Sequence, residues 1–254
     1  MTVALDARAG DQLLAEFGTA VAEDLRDLAE LHDREPDHAL LMALREVDFP
    51  RGLGLRLRAQ QGQRAHTLMA EALADLPEPV DQDTLDLLAV DFAEIYLTHG
   101  LRASPYESVW IDDEGLARQE PMFQVRACYR RHGLAAASWA ARADDHIVLQ
   151  LLFLSHLWRE PEHGTIREAA TFMDEHLLRW VGRFAEQVTA RCATPYFAGV
   201  ATLTAAYVDE LRDLMAQILQ EPRPTADEIE ARLQPKKALP CAPASYAPGS
   251  GPGW

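Results

Sequence analysis

The segment DQLLAEFGTAVAEDLRDLAEL, residues 11–31, decides the fold class. Its bulky apolar side chains, Leu14, Phe17, Val21, Leu25, Leu28 and Leu31, recur every three or four positions, so they fall in one stripe along a helix. The spacing predicts a helix over 11–33. The same period continues down the chain. Pro36 and Asp37 open a second helix carrying Leu40, Leu41 and Leu44, which Phe49-Pro50-Arg51-Gly52 breaks. Helical spacing resumes over 63–76, where Pro77 and Pro79 stop it. Asp81 with Thr84 opens the next helix, striped by Leu85, Leu88, Phe92 and Ile95, with Gly100 placed as a left-handed C-cap. Further helices are expected over 121–131, ended by Gly133, over 144–159, ended by Pro161, and over 165–192 and 195–220. Thr225-Ala-Asp-Glu228 is a capping box opening a short last one. No segment alternates with the two-residue period of a strand, and no Asn-Gly hairpin turn is present.

The expected fold is therefore all-α, a single helical domain of about nine or ten helices over 1–220. The alanine-rich stretch 134–142 suggests two lobes, about 1–133 and 144–220, joined by a hinge near 134–145. Residues 221–254 are expected to be a short helix and a disordered Pro/Gly-rich tail from Pro235 to Trp254. With 254 residues, 48% of them hydrophobic, the chain can bury a sizeable core without disulfides. Its three cysteines, Cys128, Cys192 and Cys241, are far apart and form no Cys-x-x-Cys pair, which suits a reducing compartment. Residues 1–10 lack a continuous apolar stretch, and the longest greasy run, 147–154, is far short of the roughly 20 residues a membrane span needs. A cytoplasmic protein without stable membrane insertion is expected. Forty acidic residues against twenty-four basic ones give a formal charge of −16, which repels nucleic-acid phosphate and attracts a basic partner.

Patterns that carry catalysis are missing. Glu35–His38 and Glu160–His163 have the Glu-x-x-His spacing of ferritin-like metal sites, but each contains a proline, Pro36 or Pro161, where a helix starts or stops. Gly52-Leu53-Gly54 lacks the remaining residues of a phosphate loop, and no His-Glu-x-x-His or Gly-x-Ser-x-Gly occurs. No catalytic residue, metal or cofactor is expected. What is distinctive is the loop Ala103-Ser104-Pro105-Tyr106-Glu107-Ser108-Val109-Trp110, which joins a rigid proline turn to two large aromatics and a carboxylate, a combination suited to gripping a peptide. The alternative is that Tyr106 and Trp110 pack the loop onto the core while Glu107 caps a helix. Asp144-Asp145-His146 precedes the apolar run 147–154. The acidic pair suits a helix N-terminus, while His146, in the first turn of a helix too apolar to face solvent, needs a partner.

Together these two features resemble the redox-enzyme maturation chaperones of the TorD/DmsD/NarJ type, which pair a Ser-Pro-Tyr-Glu-Ser-Val loop with an Asp-His at the start of a buried helix. Phe92-Ala-Glu-Ile-Tyr96-Leu-Thr-His-Gly100 resembles the family's aromatic-rich helix, and Val125-Arg126, Tyr129 and Gly133 its next element. His176-Leu-Leu-Arg-Trp180, Phe184, Thr194-Pro-Tyr-Phe197 and Leu203-Thr204 are similar to its C-terminal helices. The resemblance covers about 80–210. Where the family often has Glu-Pro-Asp-His followed by Glu, this chain has Ala143-Asp144-Asp145-His146 and Gln150, so it lacks a stiffening proline and a carboxylate. The tail with Cys241 is foreign to the family.

The resemblance implies an all-helical cytoplasmic assembly and proofreading chaperone, not an enzyme. It would bind the N-terminal, often twin-arginine, signal peptide and the apo form of a molybdopterin oxidoreductase until the cofactor is inserted; a homodimer is compatible with this. The implied peptide-binding set is Ser104, Pro105, Tyr106, Glu107, Ser108, Trp110, Asp145 and His146. Glu107 and Asp145 would meet arginines, Tyr106 and Trp110 would line the groove, and His146 would adjust its hydrogen bond. Two alternatives stay open on the sequence: a helical scaffold or dimerisation module without a peptide groove, and a metal-dependent helical enzyme.

Overall fold

A computed structural model describes residues 2–98, 100–138 and 142–233. The chain is all-α, and among the described residues no strand forms beyond one isolated bridge. In order come α1 (Thr2–Asp33), α2 (His38–Glu46), α3 (Gln60–Ala74), α4 (Gln82–Phe92), the single turn α5 (Ser108–Ile111) and α6 (Glu120–Arg131). These are followed by α7 (Ile147–Trp158), α8 (His163–Glu175), α9 (Val181–Arg191), α10 (Pro195–Leu219) and α11 (Ala226–Leu233). The expected tail from Pro235, with Cys241, and residues 139–141 of the expected hinge lie outside the described residues.

Helix starts follow the chemistry of their caps. Asp37 accepts from the Leu40 N–H at 2.8 Å and Asp81 from the Thr84 N–H at 2.9 Å, each satisfying an amide with no intrahelical partner. Pro121 and Pro195 stand in the first turns of α6 and α10. Thr225 and Glu228 close the capping box of α11. Gly133, with φ +69°, ends α6 in the left-handed conformation that only glycine adopts at little steric cost.

Several helix ends differ from expectation: α1 begins at Thr2, not near 11, and two further differences change how the chain packs. The helix begun at Asp81 does not end on a left-handed Gly100; α4 runs into a π-turn, Ala93–Leu97, closed by the Thr98 N–H on the Ala93 carbonyl at 2.8 Å. The wider turn lets both Ile95 and Tyr96 face the core. The single helix expected over 165–192 is broken at His176 (φ −125°, ψ −85°), giving α8, a 3₁₀ turn at Leu177–Arg179, and α9. No proline or glycine marks that break.

Residues up to Arg223 form one compact unit, and a second unit begins at Pro224. Within the first, α7 packs on α1 and α8, and α10 packs on α3, α8 and α9. The core is one continuous cluster from Val21 to Leu219, drawing on both sides of 134–145. Several polar groups within it are paired: His32 sits between Tyr96 Oη (2.6 Å) and Thr204 Oγ1 (2.9 Å), and burial drives its pKa down to about 3, so it is neutral. Asp174 and Arg212 form a buried bidentate pair at 2.9 and 2.8 Å. The crossing of α10 over α3 depends on Gly199, where a Cβ would lie 2.9 Å from Met69 Sδ and 3.0 Å from its Cα. Gly199→Ala is expected to cost about 1–3 kcal/mol through overpacking. An unchanged urea midpoint would show that α3 can shift freely.

Candidate functional site

The two distinctive segments, far apart in sequence, meet edge to edge. The Ile147 N–H donates to the Pro105 carbonyl at 2.9 Å and the Glu107 N–H to the Asp145 carbonyl at 3.1 Å, forming an antiparallel bridge between Tyr106 and His146. The Ser108 N–H donates to Asp145 Oδ2 at 2.9 Å. The loop also closes on itself, because Trp110 Nε1–H donates to the Ser104 carbonyl at 2.8 Å and Ser108 Oγ accepts from the Gln119 N–H at 3.2 Å. All eight residues expected to form the site, Ser104, Pro105, Tyr106, Glu107, Ser108, Trp110, Asp145 and His146, are thus in one cluster.

Their exposure divides them. Ser104, Pro105, Glu107, Ser108, Asp145 and His146 are buried, whereas Tyr106 and Trp110 are half-buried. Glu107 stands at the N-cap position of α5, but its carboxylate turns inward instead of capping. Its Oε1 lies 3.0 Å from His176 Nδ1 and its Oε2 accepts from Gln150 Nε2 at 2.6 Å. Glu107 and Asp145 are both 0% exposed, so in this conformation neither carboxylate faces an incoming arginine. Burial pushes the Asp145 carboxyl up, the Ser108 hydrogen bond opposes this, and the charge of Glu107 adds to it. Asp145 Oδ1 is buried with no hydrogen-bond partner among the described residues.

Helix α7 starts later than the spacing suggested, and neither aspartate caps it. His146 is the N-cap itself, its Nδ1 accepting from the Val148 N–H at 3.1 Å, which leaves the ring proton on Nε2. Its ring meets Tyr106 edge to face at 4.9 Å. Asp144 instead anchors α6, with Oδ2 receiving Arg126 Nε and Nη2 at 3.0 and 2.8 Å while its carbonyl accepts from Tyr129 Oη at 3.0 Å. Trp110 is braced by Arg183, whose guanidinium lies 5.6 Å from the ring centroid and donates to the Trp110 carbonyl at 2.9 Å.

The sequence reading missed His176 and Gln150 as members of the cluster. Gln150 looked like the loss of a carboxylate, yet it is the donor that a second buried carboxylate could not supply to Glu107 without first taking up a proton. His176 stands at the unmarked break between α8 and α9, and its imidazole reaches Glu107 from there. Among the described residues no group of three or more His, Cys, Asp or Glu is placed to hold a metal. Glu35 precedes α2, and Glu160 lies between α7 and α8.

A family profile described as nitrate reductase delta subunit matches residues 60–186, half of the chain and the whole of this cluster. The chain belongs to this family. Chaperone protein TorD of Vibrio cholerae serotype O1 (strain ATCC 39541) is 30% identical over 162 residues, covering 60% of this chain and 72% of that protein. Chaperone protein YcdY of Escherichia coli (strain K12) is 28% identical over 165 residues, covering 61% and 85%. The TorD protein of Photobacterium profundum is 25% identical over 129 residues, 47% and 60%. The chain is thus a member of a chaperone family and not an enzyme. No described helix is long and apolar enough to cross a membrane.

Proposed function

We propose that this chaperone acts in the cytoplasm in molybdoenzyme maturation, binding the N-terminal signal peptide and apo form of a molybdopterin oxidoreductase until its cofactor is in place. The observation that carries this reading is the stitched pair of segments, 104–110 and 145–147, lying inside the family match and leaving two aromatic rings half-exposed on a rigid frame. Pre-ordered aromatics contribute contact area at low entropic cost, which suits the apolar part of a leader. The formal charge of −16 supports a basic, arginine-bearing partner through long-range attraction. In this assignment Tyr106 and Trp110 touch the peptide, and Ser104, Pro105, Glu107, Ser108, Asp145 and His146 hold them in place.

The test is calorimetric titration of a twin-arginine leader peptide into the wild type, Tyr106→Ala and Trp110→Ala. Each substitution removes a half-exposed ring, so the variants should fold and bind about tenfold or more weakly. Unchanged affinity in both folded variants would remove the loop from the binding site.

A further inference from the structure

The outward side of α7 borders a cavity of about 280 Å³ that the loop does not use. Its apolar lining includes Leu134, Leu149, Leu152 and Phe153, of which Leu134 and Leu152 are 36% and 39% exposed. Its charged lining residues are Arg26 and Arg159, and among the described residues no carboxylate lines it. In a chain with forty acidic residues this is an unusual local balance. Arg26 has only a 3.9 Å contact to Asp27, with both side chains more than half exposed, and Arg159 makes no ion pair with a described residue. Glu160 and Glu162 line a neighbouring cavity that shares His156 and Arg159 with this one, so Arg159 stands between the two.

The volume lies just below the roughly 300–1,000 Å³ of small-molecule pockets, so it suits one or two large apolar side chains better than a whole cofactor. Guanidinium groups with no strong counter-ion are pre-set for carboxylates, which they bind in a fork. We propose that this cavity docks an acidic amphipathic peptide segment of a partner protein. One or two large apolar side chains would enter against Leu149 and Leu152, and neighbouring carboxylates would meet Arg26 and Arg159. The chemistry is opposite in sign to that of a basic leader, so the inference stands apart from the signal-peptide reading.

The experiment is fluorescence-anisotropy titration of the full chain with two labelled synthetic peptides of equal length. Each carries Leu and Phe one helical turn apart, flanked by Glu in one peptide and by Lys in the other. The Glu peptide is expected to bind at least about tenfold more tightly than the Lys peptide. The double variant Arg26→Glu/Arg159→Glu should abolish or reverse that preference, and Leu152→Gln should weaken the Glu peptide about tenfold. All three side chains are exposed, and circular dichroism checks that the variants fold. Equal affinity for the two peptides, or affinity unmoved by these variants, would overturn the proposal. So would binding of 8-anilinonaphthalene-1-sulfonate at Arg159 without peptide binding, which would assign the cavity to a small anionic amphiphile. A dimer in sedimentation that Leu152→Gln dissociates, again without peptide binding, would assign it to a second copy.

Discussion

Glu107→Ala is expected to destabilise the protein by about 3–5 kcal/mol, the range for removing one partner from a buried ion pair. Both oxygens of Glu107 are engaged, one with His176 at 3.0 Å and one with Gln150 at 2.6 Å, and the side chain is 0% exposed. Truncation would leave a buried imidazolium without its counter-charge and an amide donor without its acceptor, in a space too enclosed for bulk water to repair. Glu107→Gln keeps the volume and one acceptor oxygen but not the charge, so about 1–3 kcal/mol is expected. Urea denaturation at neutral pH measures both. A loss below about 1 kcal/mol for Glu107→Ala would mean that the pocket readily admits water or that His176 gives up its proton cheaply. The same reasoning changes what Glu107→Gln tests in peptide binding. With the carboxylate buried, weaker leader binding by a folded Glu107→Gln protein reports a displaced Tyr106–Trp110 frame, not a lost contact with arginine.

What the sequence disclosed and what it hid follow different physics. Helix periods and caps are local: Asp37, Asp81, Pro195, Gly133 and the Thr225–Glu228 box each act within a turn of their own position, and each does what its neighbours predict. The break at His176 carries no local signal; it coincides with a contact to a carboxylate 69 positions away, across the fold. Gly100 failed as a stop signal because Thr98 closes a π-turn two residues earlier, a choice set by how Ile95 and Tyr96 enter the core. The two motifs that come together stand out in the sequence, but the part each side chain plays in the cluster does not. A carboxylate in a loop motif reads equally well as bait for an arginine or as an internal anchor, and only burial separates the two. His146 illustrates the same limit: the helix it precedes demanded a partner for it, and that partner is the helix's own Val148 amide.

The Glu107–His176 pair also makes stability depend on pH. Burial alone would drive the His176 pKa down, but the Glu107 carboxylate, with Cys128 acting in the same direction, outweighs it and holds the imidazole up to about 9. The unfolded chain binds that proton with a pKa near 6.5, so the folded state is the tighter binder. A raised folded pKa means that the stabilisation is fully present below about pH 6.5, declines as pH rises, and is gone above about 9. The contribution is on the order of 3 kcal/mol, lost at a limiting slope of about 1.4 kcal/mol per pH unit. His176→Gln removes the titrating group while leaving an amide within reach of Glu107. Its stability should be lower than wild type near pH 6.5, and the two curves should converge toward pH 9. Comparing the two proteins cancels the groups that titrate away from His176, and repeating the comparison with Cys128→Ser in both backgrounds removes the neighbouring thiol's share of the His176 shift. Parallel curves for wild type and His176→Gln from pH 6.5 to 9 would show that His176 is neutral in the folded protein and that Glu107 is held by Gln150 alone.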